Sequence, residues 1–370
     1  MSSKIVALVM PKWGLSMKEG TLTEWHVNEG DTIEVGQIIM DVETDKIASE
    51  VEAPDPGLFR RKVAQEGDVY SVQALLGVLA PEEVSESEID DYVATFVQPD
   101  TNDEDAQEQA SAYAFTDTAI GKIRYTYLNQ DAEGTPFMLI HGFGGDLDNW
   151  LFNIDALSNV APVIALDLPA HGQSVIPNFA LTLADLTQTV VDLLDRLNVP
   201  KAHWVGHSMG GFICSEIARQ HPEKVQSLTM IASAGLGKTI NGDYIQGFID
   251  ANNRRELKPV LQLLFADSSL VTRSLVDDVL KYKRLDGVNT ALAYLANELF
   301  PSHIQQHAAS LSLPLPTLVI WGDKDAVIPA SDANTLPDAE CHVLENAGHM
   351  VQMEKANEVN TIILAHSANQ

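Results

Sequence analysis

The first 80 residues contain an internal repeat at an offset of 37 positions: residues 20–22 recur as 57–59, and residues 28–31 recur as 65–68. Two copies are too few for a solenoid, in which each unit needs stacked neighbours. Each copy has short runs rich in Val, Ile and Leu, divided by a Glu-Gly-Asp turn, which is typical of strands. The repeat therefore predicts an all-β unit built from two similar halves related by a pseudo-twofold axis.

The dipeptide Asp45-Lys46 falls near the point where one half of the repeat passes into the other. With this dipeptide, residues 1–80 resemble the lipoyl domain of 2-oxo acid dehydrogenase complexes, a flattened barrel shared by biotinyl and lipoyl carriers. The resemblance implies that a lipoate ligase joins lipoate to Lys46 by an amide. Biotin carriers flank the lysine with Met, whereas Asp45 and Ile47 stand here. Lipoate is therefore favoured over biotin.

Residues 81–118 contain 12 acidic residues and no lysine or arginine. Mutual repulsion of these charges favours an extended chain, so we predict an acidic flexible linker between two domains. A short apolar patch at 92–97 leaves room for one helix at about 89–96.

From residue 119 to 370 the pattern alternates between short apolar strands and helices, which predicts a parallel sheet covered on both faces. Strands are expected at 123–128, 137–140, 163–166, 203–205, 228–232, 317–321 and 342–344, and helices at 183–197, 212–220 and about 351–365. Helical, charge-bearing sequence at about 236–310 interrupts the alternation and predicts a cap over the catalytic end of the sheet.

The segment Gly206-His207-Ser208-Met209-Gly210 has the G-x-S-x-G pattern of a nucleophile elbow, with a strand before it and a helix after it. Because of this motif, residues 119–370 resemble an α/β-hydrolase. A serine hydroxyl needs a neighbouring imidazole to remove its proton, and the family order places the acid and then the histidine after the serine. The overall prediction is a lipoyl-type barrel followed by a capped α/β-hydrolase fold.

The general base is predicted to be His349, in the loop between the last strand and the last helix. His221, His303, His307 and His342 are expected to be structural or solvated. The family pattern G-x-x-D selects Asp325 as the acid that orients His349, and Asp323 remains a rival.

The oxyanion hole is predicted to consist of the Phe143 and Met209 backbone N–H groups, because residues 141–145 follow a strand where the family forms this loop. His141 is expected to brace the loop, and residues 167–174 are interpreted as scaffold. No metal site is predicted.

The whole chain resembles the dihydrolipoyllysine-residue acetyltransferases of bacterial acetoin-cleaving systems. The resemblance implies acetyl transfer from a lipoyl arm on Lys46 to CoA. It also implies two partners, a thiamine-diphosphate-dependent acetoin-cleaving dehydrogenase and a flavin dihydrolipoamide dehydrogenase. A thioesterase or carboxylic-ester hydrolase with an attached carrier remains the alternative, and a carrier protein with an inactive hydrolase domain is a further one.

The formal net charge of −29 argues against partners that need basic surfaces, namely nucleic acids and anionic membranes. The two cysteines do not form a disulfide framework, and no segment is long enough to span a membrane, so a cytoplasmic protein is expected. CoA phosphates need local positive charge. Two groups in the cap could supply it, Arg254, Arg255 and Lys258 in one and Lys281, Lys283 and Arg284 in the other.

Overall fold

A computed structural model of the protein describes residues 5–14, 17–45, 47–97, 113–305 and 315–370. These residues form two compact units, a β-sheet unit followed by a helix and an α/β unit whose described part starts at residue 113. The predicted order of fold classes is therefore confirmed.

The first unit consists of two four-stranded sheets with the orders β1-β8-β6-β3 and β5-β4-β2-β7. Its strands are β1 (Val6–Val9), β2 (Glu19–Trp25), β3 (Thr32–Ile33), β4 (Ile38–Glu43), β5 (Ala48–Glu52), β6 (Gly57–Lys62), β7 (Val69–Ser71) and β8 (Leu75–Leu79). The Gly30 N–H donates to Phe59 O at 2.7 Å, and the Gly67 N–H donates to Leu22 O at 2.7 Å. These bonds are related by the repeat offset, and both glycines have positive φ, so the predicted twofold relation is confirmed.

Helix α1 (Glu86–Thr95) lies in the segment predicted as linker and packs onto the β unit. Ser85 and Glu88 form a capping box at its start, and Ile89 is fully buried. Arg61 pairs with Glu86 and Asp90, each at 2.7 Å. The helix allowed at about 89–96 is therefore present and starts three residues earlier, where Arg61 pairs with the acidic side chains of its first turns.

The second unit has one eight-stranded sheet with the order β16-β15-β14-β13-β11-β12-β10-β9. Its strands are β9 (Ala114–Asp117), β10 (Lys122–Leu128), β11 (Phe137–Ile140), β12 (Val163–Leu166), β13 (Ala202–His207), β14 (Val225–Ile231), β15 (Thr317–Gly322) and β16 (Glu340–Leu344). Strands β12, β11 and β13 to β16 are parallel, whereas β10 and β9 are antiparallel. Strand β9 starts before residue 119, where the domain was expected to begin.

The helices of the second unit are α2 (Ile154–Ser158), α3 (Leu183–Arg196), α4 (Met209–Gln220), α5 (Gly242–Asp250), α6 (Arg254–Gln262), α7 (Arg273–Lys283), α8 (Val288–Leu299), α9 (Val351–Glu354) and α10 (Ala356–Ala368). Helices α5 to α8 lie between β14 and β15, where the cap was predicted. The single helix expected at 351–365 is divided at Lys355, whose φ of −129° and ψ of 44° are not helical. Among the described residues, no helix combines the length and the apolar character needed to cross a membrane.

Candidate active site

Ser208 lies in a strained turn between β13 and α4, with φ of 53° and ψ of −118°. Such a conformation costs a non-glycine residue about 1–3 kcal/mol and persists only where the surroundings enforce it. The Ser208 N–H donates to Ile231 O at 2.9 Å, and Ser208 O accepts from the Ala234 N–H at 3.1 Å. A Cβ on Gly210 would overlap the carbonyl oxygen of Ile140, so only glycine fits there. The predicted strand, turn and helix are all present.

His349 and Asp325 form a buried pair, with side chains 1% and 0% exposed. The His349 Nδ1–H donates to Asp325 Oδ2 at 2.8 Å. The other oxygen, Asp325 Oδ1, accepts from the backbone N–H groups of Val327 at 2.8 Å and Ile328 at 2.9 Å. The carboxylate is therefore fixed by three donors, and in a neutral His349 ring that donates from Nδ1 the Nε2 atom is the proton acceptor.

The rival acid Asp323 lies apart from this pair. Its carboxylate pairs with Lys324 Nζ at 2.9 Å and is 28% exposed, and the hydrogen bond from Lys324 lowers its pKa. The other candidate histidines are also elsewhere: His221 faces Glu223, and His342 donates to Glu340. His303 lies against Gly242 in the cap, and His307 falls outside the described residues.

The loop after β11 lies directly against the nucleophile, because a Cβ on Gly142 would come within 3.0 Å of Ser208 Cβ. Among the described residues, neither the Phe143 nor the Met209 N–H group has an intramolecular hydrogen-bond partner. Two unpaired amides beside a serine are suited to an incoming oxyanion, which needs donors that no other acceptor occupies.

Three neutral imidazoles support the site. His141 Nε2 accepts from the Leu168 N–H at 3.0 Å, and His171 Nε2 accepts from the Gly144 N–H at 3.1 Å. Burial lowers the pKa of His141 well below its usual value and that of His171 to about 4, so both rings remain acceptors at neutral pH. His207 is likewise buried with a lowered pKa, and its Nε2–H donates to His349 O at 2.9 Å.

Helix α5 of the cap contacts the oxyanion loop at two points. The Tyr244 hydroxyl donates to Phe143 O at 3.2 Å, and the Phe248 ring fills the space where a side chain on Gly144 would project. Sequence reasoning found no sign of Tyr244 and placed His171 only within the scaffold loop 167–174, because the specific bonds of both residues depend on contacts between distant segments.

The two basic groups of the cap differ in how exposed their side chains are and in the partners that they already contact. Arg255 and Lys258 are exposed on α6, whereas the Arg254 guanidinium makes a bidentate pair with Asp277. In the second group, Lys283 is buried and donates to the carbonyls of Phe248 and Ile249 and to Asn289 Oδ1. Burial lowers the pKa of Lys283 to about 8. The interpretation of Lys283 as a phosphate contact was therefore wrong.

The hairpin between β4 and β5 is closed by Thr44 and Ile47. The Thr44 N–H donates to Ile47 O at 2.8 Å, and the Ile47 N–H donates to Thr44 Oγ1 at 3.0 Å. Both closing residues are buried, and Asp45 is exposed. Lys46, the predicted attachment residue, lies outside the described residues. The closed hairpin has the form that the carrier resemblance requires.

Comparisons with known proteins agree with both units. The alpha/beta hydrolase fold family matches residues 135–356, and the biotin-requiring enzyme family matches residues 6–79. The dihydrolipoyllysine-residue acetyltransferase component of the acetoin cleaving system from Cupriavidus necator is 50% identical and covers 99% of this chain and 98% of its own. The protein of that name from Pseudomonas putida is 49% identical and covers 98% of both chains. A solved meta-cleavage product hydrolase from Pseudomonas fluorescens is 26% identical, with a TM-score of 0.60 over 67% of this chain and 94% of its own.

Proposed function

The chain belongs to the family of dihydrolipoyllysine-residue acetyltransferase components of acetoin-cleaving systems, and we propose that Ser208, His349 and Asp325 transfer an acetyl group to CoA. The observation that carries the proposal is the coexistence of two features. One is a buried Asp–His pair whose His349 backbone bonds to His207, the residue before the strained Ser208, and the other is a carrier-type unit on the same chain. A carrier supplies acyl groups, and this type of site accepts them.

In the acylation half, His349 Nε2 removes the Ser208 proton and Ser208 Oγ bonds to the carbonyl carbon of a thioester. Phe143 and Met209 N–H groups receive the oxyanion. Asp325 stabilises the imidazolium through the 2.8 Å bond to Nδ1. The carbon–sulfur bond then breaks, and His349 returns the proton to the departing thiol.

In the transfer half, His349 takes the proton of the CoA thiol, and the sulfur attacks the acyl-serine carbon. The serine carbon–oxygen bond breaks, Ser208 recovers the proton, and the acetyl thioester of CoA is released. Each half begins and ends with a neutral imidazole, so the base is regenerated at the end of the cycle.

Lys46 is the residue that would hold lipoate, and its neighbours fit this role because the Thr44–Ile47 closure leaves two residues between two buried anchors. Lipoate bound there would supply a long arm with a thiol that carries the acyl group. A lipoate ligase, a thiamine-diphosphate-dependent acetoin-cleaving dehydrogenase and a flavin dihydrolipoamide dehydrogenase are proposed as partners in this system.

The CoA phosphates are proposed to contact α6, with Arg255 and Lys258 as donors and Arg254 beside them. Since Asp277 already engages Arg254, the sharper test is Arg255→Ala with Lys258→Ala. We expect this pair to raise the KM for CoA without changing the KM for the acetyl donor.

The decisive experiment measures acetyl-CoA formation from acetyl-dihydrolipoamide and CoA by the full chain. Ser208→Ala is expected to lose several orders of magnitude in kcat, because members of such a triad act as a unit. The matched control is Ser215→Ala, which removes a buried hydroxyl from α4, the helix that follows Ser208, where this hydroxyl donates to Phe212 O. Lys46→Arg is expected to prevent lipoylation, seen by intact mass, and to leave free-substrate turnover unchanged.

Thioester loss at the same rate with and without CoA would contradict the transferase assignment. It would favour the hydrolase alternative, in keeping with the hydrolase fold of the structural relative. A Ser208→Ala protein with near-normal transfer would instead exclude an acyl-serine.

A further inference from the structure

The carboxylate of Glu354, the last residue of α9, lies between the loop that carries His349 and the cap segment that follows α6. Oε2 accepts from the Gly348 N–H at 2.6 Å. Oε1 accepts from the Ala266 N–H at 2.7 Å and the Asp267 N–H at 3.2 Å. Gly348 directly precedes His349, and residues 266 and 267 follow α6 of the cap.

The other flank of His349 is tied to the same cap segment. The Met350 N–H donates to Leu264 O at 2.9 Å. The backbones are also in tight contact, because a Cβ on Gly348 would lie 2.6 Å from Ala266 N and 2.8 Å from Phe265 C. The peptide units on both sides of His349 are therefore held against residues 264–267.

The Glu354 carboxylate is occupied by hydrogen bonds from these three backbone amides. Among the residues that the structure describes, no lysine or arginine forms an ion pair with Glu354. Burial, with a contribution from the charge of Asp267, raises the pKa of Glu354, and the three amide hydrogen bonds oppose that shift. Glu354 is half-buried and Gly348 is buried, so breaking the bond between them leaves the Gly348 N–H without an acceptor inside the protein.

We propose that Glu354 is a positioning residue that couples cap segment 264–267 to His349 and holds the imidazole in line with Ser208. This inference rests on the proposed role of His349 as the base. Glu354 does not touch the reacting atoms; it acts through the Gly348 peptide unit.

Glu354→Gln tests the coupling, because the substitution keeps the side-chain length but replaces one acceptor oxygen by an NH₂ group. In either orientation that NH₂ faces a backbone N–H donor, so one of the two segments is released. Glu345→Gln is the matched control, since Glu345 is exposed in the loop that carries His349 and the change in charge is identical.

Two measurements on the full chain test whether Glu354 couples cap segment 264–267 to His349. Labelling of Ser208 by a fluorophosphonate reports base-assisted attack without any acceptor, and its rate is expected to fall by about 10- to 100-fold, the loss typical of a misplaced catalytic group. Hydrogen exchange is expected to accelerate at residues 266, 267 and 348. In acetyl transfer, kcat should fall while the KM for CoA stays constant. Glu345→Gln should match the wild type throughout.

A Glu354→Gln protein that labels at the wild-type rate with wild-type exchange overturns the inference and leaves the proposed function intact. A wild-type protein that the fluorophosphonate does not label overturns the proposed function, and the inference with it. If Glu354→Gln does not fold, Glu354→Asp decides by the same readouts. Its shorter side chain cannot span both segments, so wild-type labelling by this variant would also refute the coupling.

Discussion

Replacing Asp325 by Asn should disable the base without disturbing the surrounding backbone. Asp325 Oδ1 accepts two amides, from Val327 and Ile328, so the Asn oxygen must stay on that side to avoid two donor–donor clashes. The NH₂ group then faces His349 Nδ1, which must become an acceptor. The ring proton moves to Nε2, and the atom that should receive the Ser208 proton is already occupied.

The expected loss in kcat is large because the His349 tautomer that carries its proton on Nε2 dominates in this variant. In serine proteases with the same three groups, this substitution lowers kcat about 10⁴-fold. That factor corresponds to about 5 kcal/mol of transition-state stabilisation.

The assay follows acetyl-CoA formation by the full chain and fits kcat and KM separately. Asp323→Asn is the control, since that carboxylate pairs with Lys324 at the surface and should leave kcat unchanged. Turnover by Asp325→Asn within about tenfold of the wild type, a loss of only about 1.4 kcal/mol, would refute the role of the pair.

Three further expectations concern stability. Burial lowers the pKa of His171 from 6.5 to about 4, so below pH 6.5 the unfolded chain binds a proton that the folded ring does not. The contribution of the neutral ring to the free energy of unfolding is therefore complete above pH 6.5 and is lost as the pH falls towards 4. Urea unfolding should show about 2 kcal/mol less stability from this ring at pH 5 than at pH 7. Gly210→Ala should lower the free energy of unfolding by at least about 1–3 kcal/mol, because the new methyl group overlaps the Ile140 carbonyl; urea midpoints unchanged from the wild type would contradict this. Ser85→Ala should destabilise α1 by about 1 kcal/mol, seen as faster hydrogen exchange at 86–95 with unchanged acetyl transfer.

The sequence by itself determined the features that rest on local chemistry and on order along the chain. The offset of 37 predicted the pseudo-twofold barrel, because each half carries its own strands and glycine turn. The glycines around Ser208 predicted the elbow, since only small residues fit where two backbones meet. Asp325 and His349 were predicted by their places after successive strands, and their pairing in the structure agrees with that interpretation.

Tertiary structure alone decided which polar groups are buried and what they face. The sequence offered Lys283 as a candidate phosphate contact, but packing surrounds it with the acceptors of α5 and α8. Residues 81–118 were interpreted as an extended acidic linker with room for one helix at about 89–96, and a helix is present at Glu86–Thr95, where Arg61 and a buried Ile89 stabilise it. Glu354 reaches Ala266 across 88 residues of chain. Burial decides whether a charged group is solvated or must find a partner. Since burial depends on segments that only folding brings together, such contacts leave no signal in the sequence.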